Sequence, residues 1–176
     1  MSIRSYTVAL ATALVSTAAT ARAQAPVASA FRDFEATEAK NLVAAAETVP
    51  AEKYSYKPTP AQMSFGDIVV HLSQGNDYFC SEIGGTKAPT RTKVTAASSK
   101  AELVARLKET FDFCGTSLAT LDDSKLSEQL PFFGGRKMSR AGIMTVTTGD
   151  WADHYSQSAI YLRLNGLLPP TAKKPE

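Results

Sequence analysis

The chain has little of what most metal, redox or membrane chemistry requires: two histidines, two cysteines and one tryptophan in 176 residues. No stretch approaches the ~20 consecutive apolar residues that a membrane-spanning helix needs, so a membrane span is not expected. Any imidazole chemistry must therefore run through His71 and His154 alone. Charge of one sign is also lacking, with 19 Lys and Arg against 17 Asp and Glu. Even that small excess is confined to one end. Arg4 precedes the apolar run Tyr6 to Ala19, and Ala21-Arg22-Ala23 follows as a small-x-small cleavage pattern of the secretory kind.

Cleavage after Ala23 is the expectation, with residues 1–23 a signal peptide and the product secreted or periplasmic. The cut removes two basic residues, Arg4 and Arg22, and no acidic one, so 19 − 2 leaves 17 against 17. A neutral chain offers no electrostatic case for nucleic acid or an anionic membrane as partner. About 150 residues remain, enough for one domain with a real core. In an oxidising compartment Cys80 and Cys114 are either a disulfide or two buried thiols, and spacing alone leaves both open.

Four helical patterns follow one another. Residues 24–30 form a small-residue leader, after which Phe31, Phe34, Leu42, Ala45, Ala46 and Val49 recur at helical spacing. Arg32, Glu35, Lys40 and Glu47 lie off that stripe, and Pro50 ends it. The prolines at 58 and 60 make the next stretch an extended connector. A second helix starts at Ser64, whose hydroxyl can accept the Asp67 amide; Ile68, Leu72 and Phe79 mark its buried side, and Gly84-Gly85 gives a left-handed exit. Thr86 to Ser98 has no period and is read as a surface loop. Ser99 and Glu102 then form a capping box ahead of Leu103, Leu107, Phe111, Cys114, Leu118 and Leu121. If the second and third helices are neighbours, Cys80 can meet Cys114.

Leu130 to Phe133 and Lys137-Met138 flank Gly134-Gly135, which suggests a short hairpin or tight reversal before the last helix. That helix runs from about Arg140 to Asn165, capped by Ser139 and stopped by Gly166 and Pro169-Pro170. The organisation expected is an all-α four-helix bundle over residues 31–168, with residues 169–176 a disordered tail.

Asp150 and His154 stand one turn apart on the last helix, on a stripe that also holds Ile143, Thr147, Ser158 and Tyr161. His71, one position before Leu72, can face the same interior. Two imidazoles and a carboxylate make three ligands with coordination positions left over, a donor set for a catalytic divalent metal. The plain alternative is an ordinary helix ion pair between Asp150 and His154, with His71 a hydrogen-bonded core residue. Asp153 is the second choice as ligand, since a step of one residue turns it to another face. Gln157 and Tyr161 either line a pocket or pack, and Arg163 offsets the helix dipole. Trp151, Tyr155 and Leu162 form a second apolar stripe, either core or a dimer face. No nucleophile, base and orienter fall into a recognisable series, so no catalytic residue is assigned.

Two stretches carry a family resemblance. Tyr56-Lys57-Pro58 through Met63-Ser64-Phe65-Gly66-Asp67-Ile68-Val69-Val70-His71-Leu72 resembles the start of the second helix of the DinB superfamily. Asp150-Trp151-Ala152-Asp153-His154-Tyr155-Ser156-Gln157 and Tyr161 to Gly166 resemble that family's last helix. The resemblance implies a DinB-like four-helix bundle with a metal ligand at His71 and a His-x-x-x-His pair on the last helix. Here Asp150 stands where the first histidine of that pair is usual, which leaves the ion open among Zn, Ni, Fe and Mn. It also implies a homodimer and a metal-dependent transferase, isomerase or hydrolase acting on a small molecule through a lowered thiol or water pKa. Export disfavours a cytosolic thiol substrate and tilts the expectation toward hydrolysis, or toward a non-catalytic bundle that binds a small ligand or partner.

Overall fold

The computed structural model describes residues 25–172, so the expected signal peptide lies outside the described residues. Helix α1 spans Pro26–Thr48, α2 Phe65–Gly84, α3 Lys100–Leu118 and α4 Arg140–Leu164. Strands β1 (Gln129–Phe132) and β2 (Arg136–Ser139) pair antiparallel between α3 and α4, Leu130 opposite Met138. This is the expected helical bundle with its hairpin. Among the described residues, no helix is long and apolar enough to cross a membrane.

Local chemistry sets three of the helix starts. Ser64 accepts the Asp67 amide while Asp67 returns a carboxylate to the Ser64 amide, and Ser99 and Glu102 repeat the arrangement on α3. Ser139 caps α4 by accepting the Gly142 amide. Gly85, at φ 68°, ends α2 in the left-handed conformation that glycine adopts without steric cost. Helix α3 stops at Leu118, and Leu121, read as its last stripe position, is buried just beyond it.

Helix α1 begins at Pro26, inside the stretch read as a leader. Proline at the first turn loses no hydrogen bond, and the carboxylate of Asp123 accepts the amides of Val27 and Ala28 at 3.1 and 2.8 Å. A distant residue thus satisfies donors that no local side chain caps. The chain is also ordered slightly past Pro169, where Pro170–Ala172 makes a helical turn and the Tyr155 hydroxyl bonds Thr171 at 2.8 Å.

Cross-links between helices give their directions. Asn76 bonds Thr110 and a disulfide joins Cys80 to Cys114, so α2 and α3 run parallel. Trp151 Nε1 donates to Asn76 Oδ1 at 2.7 Å and Arg140 reaches the Glu82 carbonyl, so α4 runs antiparallel to α2. Arg32 donates to the Leu121 carbonyl and Lys108 pairs with Glu47, which makes α1 antiparallel to α3 and hence parallel to α4. The long 86–98 loop returns the chain for this up-down-down-up order. Arg91 pins that loop to Asp77 at 2.7 Å and to Glu109 at 3.2 Å.

The core centres on Trp151, fully buried and stacked 5.7 Å from Phe31. Leu162 is fully buried as well, so the second stripe of α4 is core where it holds Trp151 and Leu162. Two residues of the first helix depart from the sequence reading. Glu35, placed off the apolar stripe, is buried against α3, because α1 lies between two neighbours and buries a wider face than its apolar residues mark. Phe34, placed on the stripe, is half-buried instead.

Candidate metal centre

The antiparallel register of α2 and α4 puts His71, in the second turn of α2, across from Asp150 and His154 in the middle of α4. His71 Nε2 lies 3.2 Å from Asp150 Oδ1, and His154 Nε2 lies 3.5 Å from the same oxygen. The imidazole rings meet edge to face with centroids 4.7 Å apart. One donor atom from each residue falls within 4.8 Å of the other two. Exposure falls across the group, from 48% of the His71 side chain through 19% for Asp150 to 9% for His154. His71 is thus the solvent-facing rim and not the interior position the sequence suggested.

Electrostatics match a cation site. Burial opposes ionisation of Asp150, but hydrogen bonds to His154 and His71, with their charges, outweigh it and hold the carboxyl at about 2. The hydrogen bond to Asp150 raises the His71 pKa above its ordinary value, against the opposing effect of burial. Asp150 is therefore a carboxylate at any physiological pH, held between two nitrogen donors.

The two spacings from Asp150 Oδ1 fit a metal, within a group whose donors span up to 4.8 Å. Bonds of about 2.0–2.2 Å at tetrahedral angles set ligand atoms roughly 3.4 Å apart, close to the 3.2 and 3.5 Å found here. These three residues form a group that can hold a metal ion, and three ligands leave positions for other molecules. Nδ1 of His154 is buried with no hydrogen-bond partner among the described residues. Its ring is therefore set by packing and by Asp150, without the outer hydrogen bond that usually orients a ligating imidazole.

The neighbouring candidates fall elsewhere. Asp153 is exposed and accepts from Gln157 at 2.6 Å, so neither joins the group. The Tyr161 hydroxyl donates to the Met63 carbonyl at 2.7 Å, the packing role with a satisfied hydroxyl. Gly75 was passed over in the sequence. It stands one turn past His71, and a Cβ there would lie 3.6 Å from Asp150 Oδ2 and 3.6 Å from the Phe79 ring. A glycine on the same helical face as a candidate ligand was the signal available.

A family model described as the DinB superfamily matches residues 33–158. No curated protein matches the chain. Among solved structures, a DinB-like protein from Bacillus subtilis superposes with a TM-score of 0.66 at 19% identity, covering 83% of this chain and 99% of its own. A DinB-like protein from Bacillus cereus gives 0.66 at 16% identity, over 81% of this chain and 95% of that one. A conserved protein from Enterococcus faecalis gives 0.63 at 13%, over 78% and 96%. At these identities the solved structures speak for the fold.

Proposed function

The chain belongs to the DinB superfamily, and from that premise we propose that it is an exported metal-binding bundle whose ligands are His71, Asp150 and His154, acting as a metal-dependent hydrolase or transferase on a small molecule. The observation that carries this reading is the convergence of two imidazoles and one carboxylate from helices far apart in sequence. When bound, a divalent ion polarises a substrate oxygen and lowers the pKa of a ligated water or thiol.

The chain's own residues supply the rest. Asp150 brings a fixed negative charge, and its Oδ1 faces both imidazoles. His71, at the rim, leaves the approach from solvent open. Trp151, next to Asp150 in sequence, is locked by its bond to Asn76 and by the Phe31 stack, which holds this turn of α4 in place. Export draws support from the signal-peptide pattern of residues 1–23 and from the Cys80–Cys114 disulfide, which suits an oxidising compartment. A homodimer belongs to the same reading, and light scattering tests it.

Metal analysis of the mature protein beside His154→Ala tests the proposal. Near-stoichiometric Zn, Ni, Fe or Mn in the parent and a loss of tenfold or more in the variant are expected; equal, negligible metal in both ends it. A second reading is a non-catalytic bundle that binds a small ligand or partner, favoured by the Asp150 carboxylate already satisfied by both histidines. It requires that EDTA leave the melting temperature unchanged.

A further inference from the structure

The aromatic cluster beside the candidate metal centre is not used by anything argued above. Tyr78 lies two helical turns past His71 on α2, roughly 10 Å along the axis. Its ring stacks on Phe133 with centroids 4.3 Å apart and planes 24° from parallel. Phe79 and Phe132 meet the same Phe133 ring edge-on, at 5.8 and 4.9 Å. Phe79 and Phe132 are buried, whereas Phe133 is 49% exposed at the tip of the β1–β2 hairpin. The tip is fixed by Gly134 and Gly135, at φ 68° and 73°, a conformation other residues resist. One ring is thus held open to solvent on a rigid support.

The cluster is continuous with the candidate centre. The space beside Gly75 touches Asp150 Oδ2 on one side and the Phe79 ring on the other. Because α4 runs antiparallel to α2, Val146, one turn before Asp150, falls at the level of Tyr78 and Phe79, and it is 38% exposed. Asp150, the bare position at Gly75, the Phe79 ring and the half-open Phe133 ring therefore follow one another in contact, with the exposed Val146 at the same level.

From this arrangement we propose that Phe133, Tyr78 and Val146 form a binding platform for a flat apolar group of the substrate, an aryl or conjugated tail about two helical turns from the end that meets the metal. Only the reacting end of this substrate rests on the metal reading; the platform stands on the Tyr78–Phe133 stack and the exposure of Phe133 and Val146. Phe133 and Gly75 are then specificity-determining positions.

The test has two arms. In the first, the zinc-loaded protein is titrated calorimetrically with 5-phenylpentanohydroxamate and with acetohydroxamate, which share a chelating head. The aryl compound is expected to bind about tenfold tighter, the gain stacking and apolar burial supply. Phe133→Ala cuts that advantage to about twofold and leaves acetohydroxamate binding and zinc content unchanged. Gly75→Leu, which puts a side chain between Asp150 and the Phe79 ring, removes it. An aryl advantage equal in parent and Phe133→Ala overturns the platform.

In the second arm, 5-phenylpentanoate is added to metal-free protein in EDTA, and amide chemical shifts are read. Changes confined to Gly75, Tyr78, Phe79, Phe133 and Val146, and lost in Phe133→Ala, support the platform even if no metal ever binds. No changes, or changes scattered over other surfaces, overturn it. A concentration-dependent dimer that Phe133→Ala dissociates, with no aryl binding, also overturns it, because a second copy then covers the patch.

Discussion

Raising the pH from 5 to 8 is expected to weaken the fold, and Glu35→Gln to remove a large part of that loss. Glu35 is 6% exposed on the face of α1 that meets Phe111 and Asp112 of α3. Burial, and secondarily the charge of Asp112, raises its pKa from 4.5 to about 7. An acid whose folded value lies above its unfolded value keeps its proton in the native state where the unfolded chain has released it. Its stabilisation is whole below 4.5 and falls as the pH climbs to about 7. The rise from 4.5 to about 7, at about 1.36 kcal/mol for each tenfold change in acidity, corresponds to ~3.4 kcal/mol as an upper bound. The groove beside Glu35 admits water, so ~2 kcal/mol is the working figure, equivalent to about 4–8 °C in melting temperature. Glu38 is raised in the same direction by burial, and His71 by its bond to Asp150, so both add slope in overlapping windows. The difference between two profiles isolates Glu35. Thermal melts of the parent and Glu35→Gln in EDTA at pH 5, 6, 7 and 8 should coincide at pH 5 and diverge upward for the variant. Parallel profiles would refute the argument.

Replacing Cys80 and Cys114 by alanine opens a loop of 34 residues' separation, and urea unfolding should record a loss of about 4 kcal/mol. Trp151→Phe leaves Asn76 Oδ1 without its donor and opens a void in the core; a loss of about 2–4 kcal/mol is expected in the same assay. Gly84→Ala drives a Cβ into the Ser117 side chain and carbonyl, where α2 and α3 nearly touch. A drop of several degrees in melting temperature is expected there, despite alanine's better helix propensity, and an unchanged melt would contradict that close approach.

Three helices could be read closely from local signals because their ends are chemically self-contained. Ser64, Ser99 and Ser139 each bond an amide three residues on, and Gly85 closes α2 by its own conformation. The start of α1 is different in kind. Its first amides are satisfied by Asp123, 95 residues away from Ala28, and no nearby pattern records that. Burial of Glu35 was equally hidden, since an apolar stripe marks only the centre of a buried face. Arg91 reads as one more basic residue in a polar loop, yet it joins α2 and α3 through Asp77 and Glu109.

The candidate centre was legible as a set of residues and illegible as a place, and helix direction accounts for the gap. His71 lies ~9 Å from the start of α2, and His154 lies ~21 Å from the start of α4 but only ~15 Å from its end, at 1.5 Å per residue. In a bundle whose helices simply alternate, α2 and α4 would run parallel and the two imidazoles would sit ~12 Å apart along the axis. The 86–98 loop prevents this by returning the chain before α3 begins, so that α3 runs with α2 and α4 runs against it. The same reversal carries the β1–β2 hairpin to the end of the bundle where α2 finishes, which puts Phe133 on Tyr78. One crossover loop, with no chemistry of its own, thus sets both the meeting of the histidines and the aromatic surface beside them.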